Sequence, residues 1–282
     1  MTPGIENIEF NGIEALRLTA ASGATAVVSR FGAQVLSWVT RDGRERLFLS
    51  ERARFDGGVP VRGGIPVCFP QFSTLGSLPR HGFVRTRPWS VGTRNCADDY
   101  AVLSLEIIDD ESSRAAWPHA FRAEVTVALE DDRLDVELSV DNTGPDTFDF
   151  TAALHTYLRV VEVEDVSLAG LYGFQYRDAA DGNQVRRETG TELTIDRETD
   201  RIYHDVSRPL LLNAGNYSLG IDQEGFSDVV VWNPWVEHCA RLPDMAPSGF
   251  RHMLCVEAAA AQRPVRLESG ENWYGRQSLV VI

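Results

Sequence analysis

Along residues 133–142, RLDVELSVDN, apolar and polar side chains alternate without a break. Leu134, Val136, Leu138 and Val140 fall on one side, Asp135, Glu137 and Ser139 on the other. A period of two is the mark of a strand with one face against a core. The preceding run, FRAEVTVALE, alternates in the same way and is joined to it by an acidic Asp-Asp turn. Shorter strand-like runs recur along the chain, separated by Gly, Ser or charged residues: EALRLTA, ATAVVSR, AQVLSWVT, RLFLS and YAVLSLEIID before this pair, and FDFTAALHTYLRV, LTI, RIYHDV, PLLLNA, YSLGID, DVVVWN, HMLCVEAA and QSLVVI after it. WVEHCARL reads as a short helix, and no amphipathic helix longer than about three turns is evident. Many strands at close spacing predict an all-β sandwich or barrel. With no linker, internal repeat or low-complexity stretch, residues 1–282 are expected to form a single domain.

One segment departs from this pattern. Residues 57–89 show little sustained alternation and many Gly and Pro, yet carry Phe69, Phe72, Phe83 and Trp89, aromatics that suit packing better than disorder. Gly63 and Gly64, next to Arg62, permit tight backbone geometry and the close approach of a ligand. The charge is unusual too. From Gly57 to Ala97 there are five arginines (Arg62, Arg80, Arg85, Arg87, Arg94) and no Asp or Glu, where the chain's average density would place roughly six acids. Either these arginines pair with carboxylates elsewhere, or they line a pocket for an anionic ligand.

Composition narrows the choice of partner. With 41 Asp plus Glu against 27 basic residues, the net charge is -14, which argues against general nucleic-acid binding. Every basic side chain is arginine, a planar fork suited to phosphate. No apolar run approaches the roughly 18 residues of a membrane span. MTPGIENIEF has neither the basic start nor the apolar stretch of a secretory leader. Cys68, Cys96, Cys239 and Cys255 are scattered without a C-x-x-C pair. Reduced thiols in a cytoplasmic protein are therefore expected, not a disulfide or zinc framework.

Two strand-borne residues are candidates for chemistry. In TAALHTYLRV a continuous strand puts Thr151, Ala153, His155, Tyr157 and Arg159 on one face, the more polar one, as a strand lining a concave site would. A histidine hydrogen-bonded at a sheet surface would give the same pattern. In HMLCVEAA, Met253, Cys255 and Glu257 share a face, and Glu257 lies between Val256 and a run of four alanines. A carboxylate in such company needs a partner or a task, and burial would raise its pKa toward the range of a general base. No G-x-S-x-G, H-E-x-x-H or phosphate-binding G-x-x-x-x-G-K-[ST] motif occurs, and the six histidines are too dispersed to predict a metal site by spacing.

Taken in order, VRGGIPVCFPQF, LPRHGFVR, WPHAF, ALHTYLRV, ETDRIYH, VVWNPW and MLCVEAA resemble the hexose-6-phosphate mutarotases of the aldose 1-epimerase superfamily. The resemblance runs through most of the chain. It implies a galactose-mutarotase-like fold, a large antiparallel β-sandwich with the sugar on a concave face, and no metal or organic cofactor. Residue by residue, it implies His155 and Glu257 as acid and base and Arg62 and Arg85 as arginines contacting phosphate and sugar. His81 and Asp200 are implied as further substrate-binding residues. Arg80 stands where related eukaryotic enzymes are expected to carry Gln, so either a sugar contact differs here or an extra charge reaches the phosphate. The expected partner is a small sugar phosphate, and the oligomeric state is left open. A free-sugar mutarotase would not require the arginines. A non-catalytic binding protein would not require the His–Glu pair. A glycoside hydrolase would require a second carboxylate.

Overall fold

The computed structural model describes residues 2–97 and 99–282. The chain opens with β1 (Gly4–Phe10), β2 (Ile13–Thr19), β3 (Thr25–Ser29) and β4 (Val35–Val39), which pair in chain order as a four-stranded sheet. After a long loop come β5 (Val67–Cys68), β6 (Ser90–Cys96), β7 (Ala101–Ile108), the short helix α1 (Glu111–Ala116), β8 (Phe121–Leu129), β9 (Arg133–Asn142), β10 (Phe148–Leu154) and β11 (Tyr157–Arg159). Next are β12 (Ser167–Ala169), β13 (Gln175–Asp178), β14 (Gln184–Arg187), β15 (Glu192–Thr194), β16 (Thr199–Tyr203), β17 (Leu210–Asn213), β18 (Ser218–Glu224) and β19 (Asp228–Asn233). Helix α2 (Trp235–Arg241), β20 (Met253–Leu267) and β21 (Asn272–Val281) complete the chain.

Two large antiparallel sheets dominate. One runs β14-β13-β16-β19-β20-β10-β5, with β11 also on β20. The other runs β15-β12-β17-β18-β21-β9-β8-β7-β6. The pairing of β8 with β9 follows the alternation in the sequence, and Leu134, Val136, Leu138 and Val140 are all buried. The two sheets meet through aromatic contacts. Phe150 on β10 packs edge-on against Trp273 on β21 at 5.5 Å, and Phe69 meets Phe121 on β8 at 5.4 Å. This is the expected all-β sandwich.

Local chemistry explains where the sequence pattern and the strands part. RLFLS was expected to be a strand, but only isolated bridges form there, Leu47 to Leu158 and Leu49 to Gly63. The Glu45 carboxylate accepts the backbone N–H groups of Trp38 and Leu47, so a side chain takes up donors that a ladder would have used. Helix α1 was not apparent from periodicity. It is set by a capping box in which Asp110 accepts from the Ser113 N–H while the Ser113 hydroxyl accepts from the Asp110 N–H. The segment FDFTAALHTYLRV is two strands, not one, with His155 and Thr156 between β10 and β11.

The long loop is packed, as its aromatics suggested. Phe69, Phe72, Phe83 and Trp89 are buried. Phe72 joins Cys68, Ala153, Ile202, Val230, Ala259 and Ala261 in a cluster on the face of the β10–β20 sheet turned away from the second large sheet. The sheet is thereby covered on both sides: β19 and residues 253–261 of β20 are buried at every position. Gly63 and Gly64 have φ of 117° and 61°, and a Cβ on either would fall within 2.3 Å of the Phe48 or Val35 carbonyl oxygen. Glycine is therefore required there for the loop to reach the sheet. Among the described residues no helix is long and apolar enough to cross a membrane.

Candidate active site

Register across the eight-stranded sheet sorts side chains into rows. Arg177 pairs with Ile202, Ile202 with Val230, and Val230 with Glu257. Two residues along each strand, Asp200 pairs with Trp232, Trp232 with Cys255, and Cys255 with Tyr157. Side chains two apart share a face, so both rows look the same way. They look into a cavity of about 530 Å³ whose far wall is the long loop. All seven residues singled out in the sequence line it: Arg62, Arg80, His81, Arg85, His155, Asp200 and Glu257.

His155 sits where β10 has ended and β11 has not begun. Its backbone N–H continues the β10–β5 register to the Pro66 carbonyl at 2.9 Å, while the next N–H, that of Thr156, turns back to the Leu154 carbonyl at 2.9 Å. Its ring lies flat on Tyr157, 4.8 Å between centroids and 7° between planes, with Trp232 edge-on at 6.0 Å. Nδ1 is 3.3 Å from Oε1 of Glu257, outside hydrogen-bonding geometry, and both His155 Nδ1 and Glu257 Oε2 are buried without a hydrogen-bond partner. On the opposite face the two neighbouring residues are tied together. The Thr156 hydroxyl donates to Gln277 Oε1, and Gln277 Nε2 donates to the Val256 carbonyl at 3.0 Å. A side chain from the second sheet thus fixes the backbone beside both candidate groups.

The loop supplies the cations. Arg62 is clasped: Nε and Nη2 reach Asp244 at 3.2 and 3.1 Å, and Nη1 donates to the Tyr157 hydroxyl at 2.9 Å. Arg85 donates from Nη2 to the Arg80 carbonyl at 2.7 Å, while its Nε is buried and unpartnered. Neither Arg80 nor Arg85 has a carboxylate within ion-pair distance among the described residues. His81 is held in the left-handed region with φ of 65°, and its Nδ1 accepts from the Ser73 N–H at 3.3 Å, which leaves the ring proton on Nε2. The other two arginines of the segment have surface partners, Arg87 with Asp110 at 2.9 Å and Arg94 with Asn7 at 2.8 Å. The segment thus divides, two arginines making ordinary surface contacts and three facing the cavity.

The electrostatics follow from burial and from these cations. Burial pushes the Glu257 carboxyl well above the ordinary carboxylate range, Asp200 adds to the shift, and Arg80 opposes it. Burial holds His155 well below its ordinary value, helped by His81 and by Arg62, Arg85 and Arg80. His81 is lowered to about 2 by burial and the same arginines. Asp200 is raised by burial against the pull of Arg80 and Arg177. Burial thus works against charge on both members of the pair, favouring the protonated carboxyl of Glu257 and the neutral ring of His155. Cys255 brings its sulfur, with His155 and Glu257, into a group of donor atoms within 4.8 Å of one another. Burial holds that thiol far above its usual range.

Sequence reasoning missed two charged residues of the cavity. Arg177 lies on a four-residue strand with no detectable period, and its Nη1 donates to Asn183 Oδ1 at 2.6 Å. Asp244, which clasps Arg62, is 182 residues away in sequence and carried no local signal.

Residues 14–280 match the family described as Aldose 1-epimerase. The chain belongs to the aldose 1-epimerase family. A protein of Cenchrus ciliaris named "Putative glucose-6-phosphate 1-epimerase" is 34% identical to it over 96% of this chain and 86% of that protein. One of the same name from Escherichia coli is 31% identical over 89% and 84%. A crystal structure described as a "putative mutarotase" from Salmonella typhimurium superposes with a TM-score of 0.91 at 26% identity, covering 100% of this chain and 94% of that one. A galactose mutarotase-like protein from Clostridium acetobutylicum shares the fold at 14% identity, with a TM-score of 0.81 and 99% and 98% coverage. This member of the family has the β-sandwich of its mutarotase neighbours.

Proposed function

We propose that the protein interconverts the α and β anomers of an aldohexose 6-phosphate, glucose 6-phosphate above all. The observation that carries this reading is one cavity holding both the His155–Glu257 pair and the carboxylate-free cations Arg80 and Arg85. A neutral sugar gives no reason to keep the part-buried guanidinium of Arg85 without a carboxylate, whereas a phosphate dianion does, and the exposed Arg80 beside it adds a second positive charge. The names of the relatives from Cenchrus ciliaris and Escherichia coli point the same way. Because the cavity draws on residues from Val59 to Glu257, the proposal takes the whole chain as one catalytic unit.

In this mechanism Glu257 takes the proton of the C1 hydroxyl while His155 gives one to the ring oxygen. The C1–O5 bond breaks with its electrons going to O5, and the open aldehyde forms. Rotation about C1–C2 presents the other carbonyl face. O5 then attacks C1 and returns its proton to His155, and the new O1 takes the proton held by Glu257. No proton is gained or lost in a full cycle. Nδ1 of His155 faces Glu257, so Nε2 is the nitrogen left to meet the sugar. Asp200 and His81 orient hydroxyls, where a shift of about 1 Å can cost about a hundredfold. Arg85 and Arg80 hold the phosphate, with Arg62 beside them.

Exchange NMR on glucose 6-phosphate, glucose, galactose 6-phosphate and mannose 6-phosphate, each with its spontaneous rate subtracted, tests the reading. Fastest enzyme-dependent exchange is expected for glucose 6-phosphate. Equal acceleration of glucose would replace this assignment by that of a free-sugar mutarotase, and no acceleration of any sugar by that of a binding protein.

A further inference from the structure

Beside the candidate acid and base, the eight-stranded sheet lacks one ladder bond. Leu154 lies opposite Ala258 and Tyr157 opposite Cys255, with two residues between on each strand. His155 therefore faces Glu257 and Thr156 faces Val256, with nothing inserted on either side. A hydrogen-bonded antiparallel pair exchanges two backbone bonds. Thr156 and Val256 make only one of them. The Val256 N–H donates to the Thr156 carbonyl at 3.1 Å, but the Thr156 N–H turns back to the Leu154 carbonyl at 2.9 Å. The Val256 carbonyl thus loses its ladder donor, on a residue with no exposed surface. A buried carbonyl left without a donor is costly, so the fold must supply another.

The replacement comes from the other sheet. β21 buries Gly275, Gln277 and Leu279 on one face, and of these only Gln277, 2% exposed, has a polar side chain. Its Nε2 donates to the Val256 carbonyl at 3.0 Å, and its Oε1 accepts the Thr156 hydroxyl. One amide thus satisfies the orphaned carbonyl and holds the residue whose N–H has turned away from it. That N–H belongs to the peptide that begins at the His155 carbonyl. Peptides are planar, so swinging the N–H back to Val256 would rotate the whole unit and change ψ of His155, turning its ring. With an apolar side chain at 277, the donor that the ladder provides for the Val256 carbonyl is this same N–H.

We propose that Gln277 is a positioning residue: it stands in for the missing ladder bond and so sets the direction in which His155 meets Glu257 and the sugar. This rests on the function proposed above and adds to it a residue of the opposite sheet that lies outside the cavity lining. Gln277 acts through Thr156 and Val256, the chain neighbours of His155 and Glu257, and touches no substrate.

The test compares Gln277→Leu, Thr156→Val, Thr156→Ser and the double variant Thr156→Val with Gln277→Leu. Each is assayed by anomer exchange of glucose 6-phosphate over a range of concentrations, with the spontaneous rate subtracted and the rate normalised to folded protein. Gln277→Leu should lower kcat by about 10- to 100-fold, the scale of a displacement of up to about 1 Å. KM should stay close to that of the parent, since the groups that bind the sugar phosphate are untouched. The double variant should be about as slow as Gln277→Leu, because both changes break one device. Its unfolding midpoint should stay near the parent's, because replacing both partners of a hydrogen bond by apolar groups of similar shape costs little. Thr156→Ser, which keeps the hydroxyl, should retain most of the kcat that Thr156→Val loses. Nitrogen NMR of labelled histidine reads the geometry without turnover. The His155 ring resonances should shift in Gln277→Leu, while those of His119 and His204, which pack against Phe148 and Asp228, should not. A loss of rate that vanishes on normalisation to folded protein, or a raised KM with kcat intact, would overturn the inference and leave the assignment of function standing. If the parent protein does not accelerate exchange of glucose 6-phosphate, that assignment falls. The His155 resonances then decide the placement separately: a shift in Gln277→Leu upholds it, and unchanged resonances overturn it.

Discussion

The two large sheets solve different problems with the same kind of strand. In the nine-stranded sheet, β8 and β9 alternate strictly between buried and half-exposed positions, and their outward side chains are solvated acids and arginines such as Glu124, Arg122 and Asp141. In the eight-stranded sheet, β19 and the first part of β20 are buried on both faces. One face meets the other sheet and the second lies under the loop and the cavity. Polar side chains on a face with access to water need no further explanation, whereas Glu257, 1% exposed with one oxygen unpartnered, does. The difference teaches where chemistry is to be sought in such a sandwich: on the doubly covered sheet, at the positions where an apolar residue would have cost nothing.

Substitutions can break this contrast directly. Glu257→Gln and His155→Asn, on the covered sheet, should each lower anomer exchange of glucose 6-phosphate by about two to four orders of magnitude. Circular dichroism should remain that of the parent, and full activity in both variants would refute the assignment. Leu138→Ala on the backing sheet should do the opposite, with a loss of about 2–5 kcal/mol of stability in denaturant titration. The rate per folded molecule should be unchanged.

Arg85→Ala, between these extremes, should lower kcat/KM for glucose 6-phosphate by one to two decades, the effect of losing one charge-assisted contact of about 1.5–3 kcal/mol. Exchange of free glucose should be much less affected, and Arg85→Lys should recover only part of the loss because the planar fork is gone. A similar fall for both sugars would mean that Arg85 acts on the fold and not on the phosphate.

A further effect concerns pH. His81 and His155 both have folded-state pKa values below those of the unfolded chain. Their contribution is thus complete above the unfolded value and is lost as pH falls below it. For His81 the window runs from 6.5 down to about 2, and stability should decline there by up to about 1.4 kcal/mol per pH unit for each histidine that stays neutral while folded. His81→Asn should flatten the slope of stability against pH in this range. Glu257 has the opposite sign in stability. Its raised folded-state value penalises the folded chain once pH exceeds the ordinary carboxylate range, so Glu257→Gln should gain stability at neutral pH while losing activity.

Much of this was legible in the sequence because it depended on local order. Alternation exposed β8 and β9, since a strand with one wet face must alternate. The apolar setting of Glu257 is a fact about its immediate neighbours, and so is the absence of acids from the segment bearing Arg62, Arg80 and Arg85. The position of His155 was legible only in part: its face was given by period two, but the interruption after Leu154 was not, because the turn of the Thr156 N–H back to the Leu154 carbonyl leaves no mark on the side-chain pattern. Which arginines are free was decided by the tertiary structure alone. Asp244 neutralises Arg62 and Asp110 engages Arg87 across separations no local pattern encodes, while among the described residues Arg80 and Arg85 have no carboxylate within ion-pair distance. Arg177 enters the cavity only through the register of β13 on β16. Residue types and their periods determined the strands and the candidate groups. The distances that bring His155 to Glu257 and the loop arginines into the same cavity arise from contacts between strands and loops remote in sequence, and a charge is compensated or exposed only by what the fold places next to it.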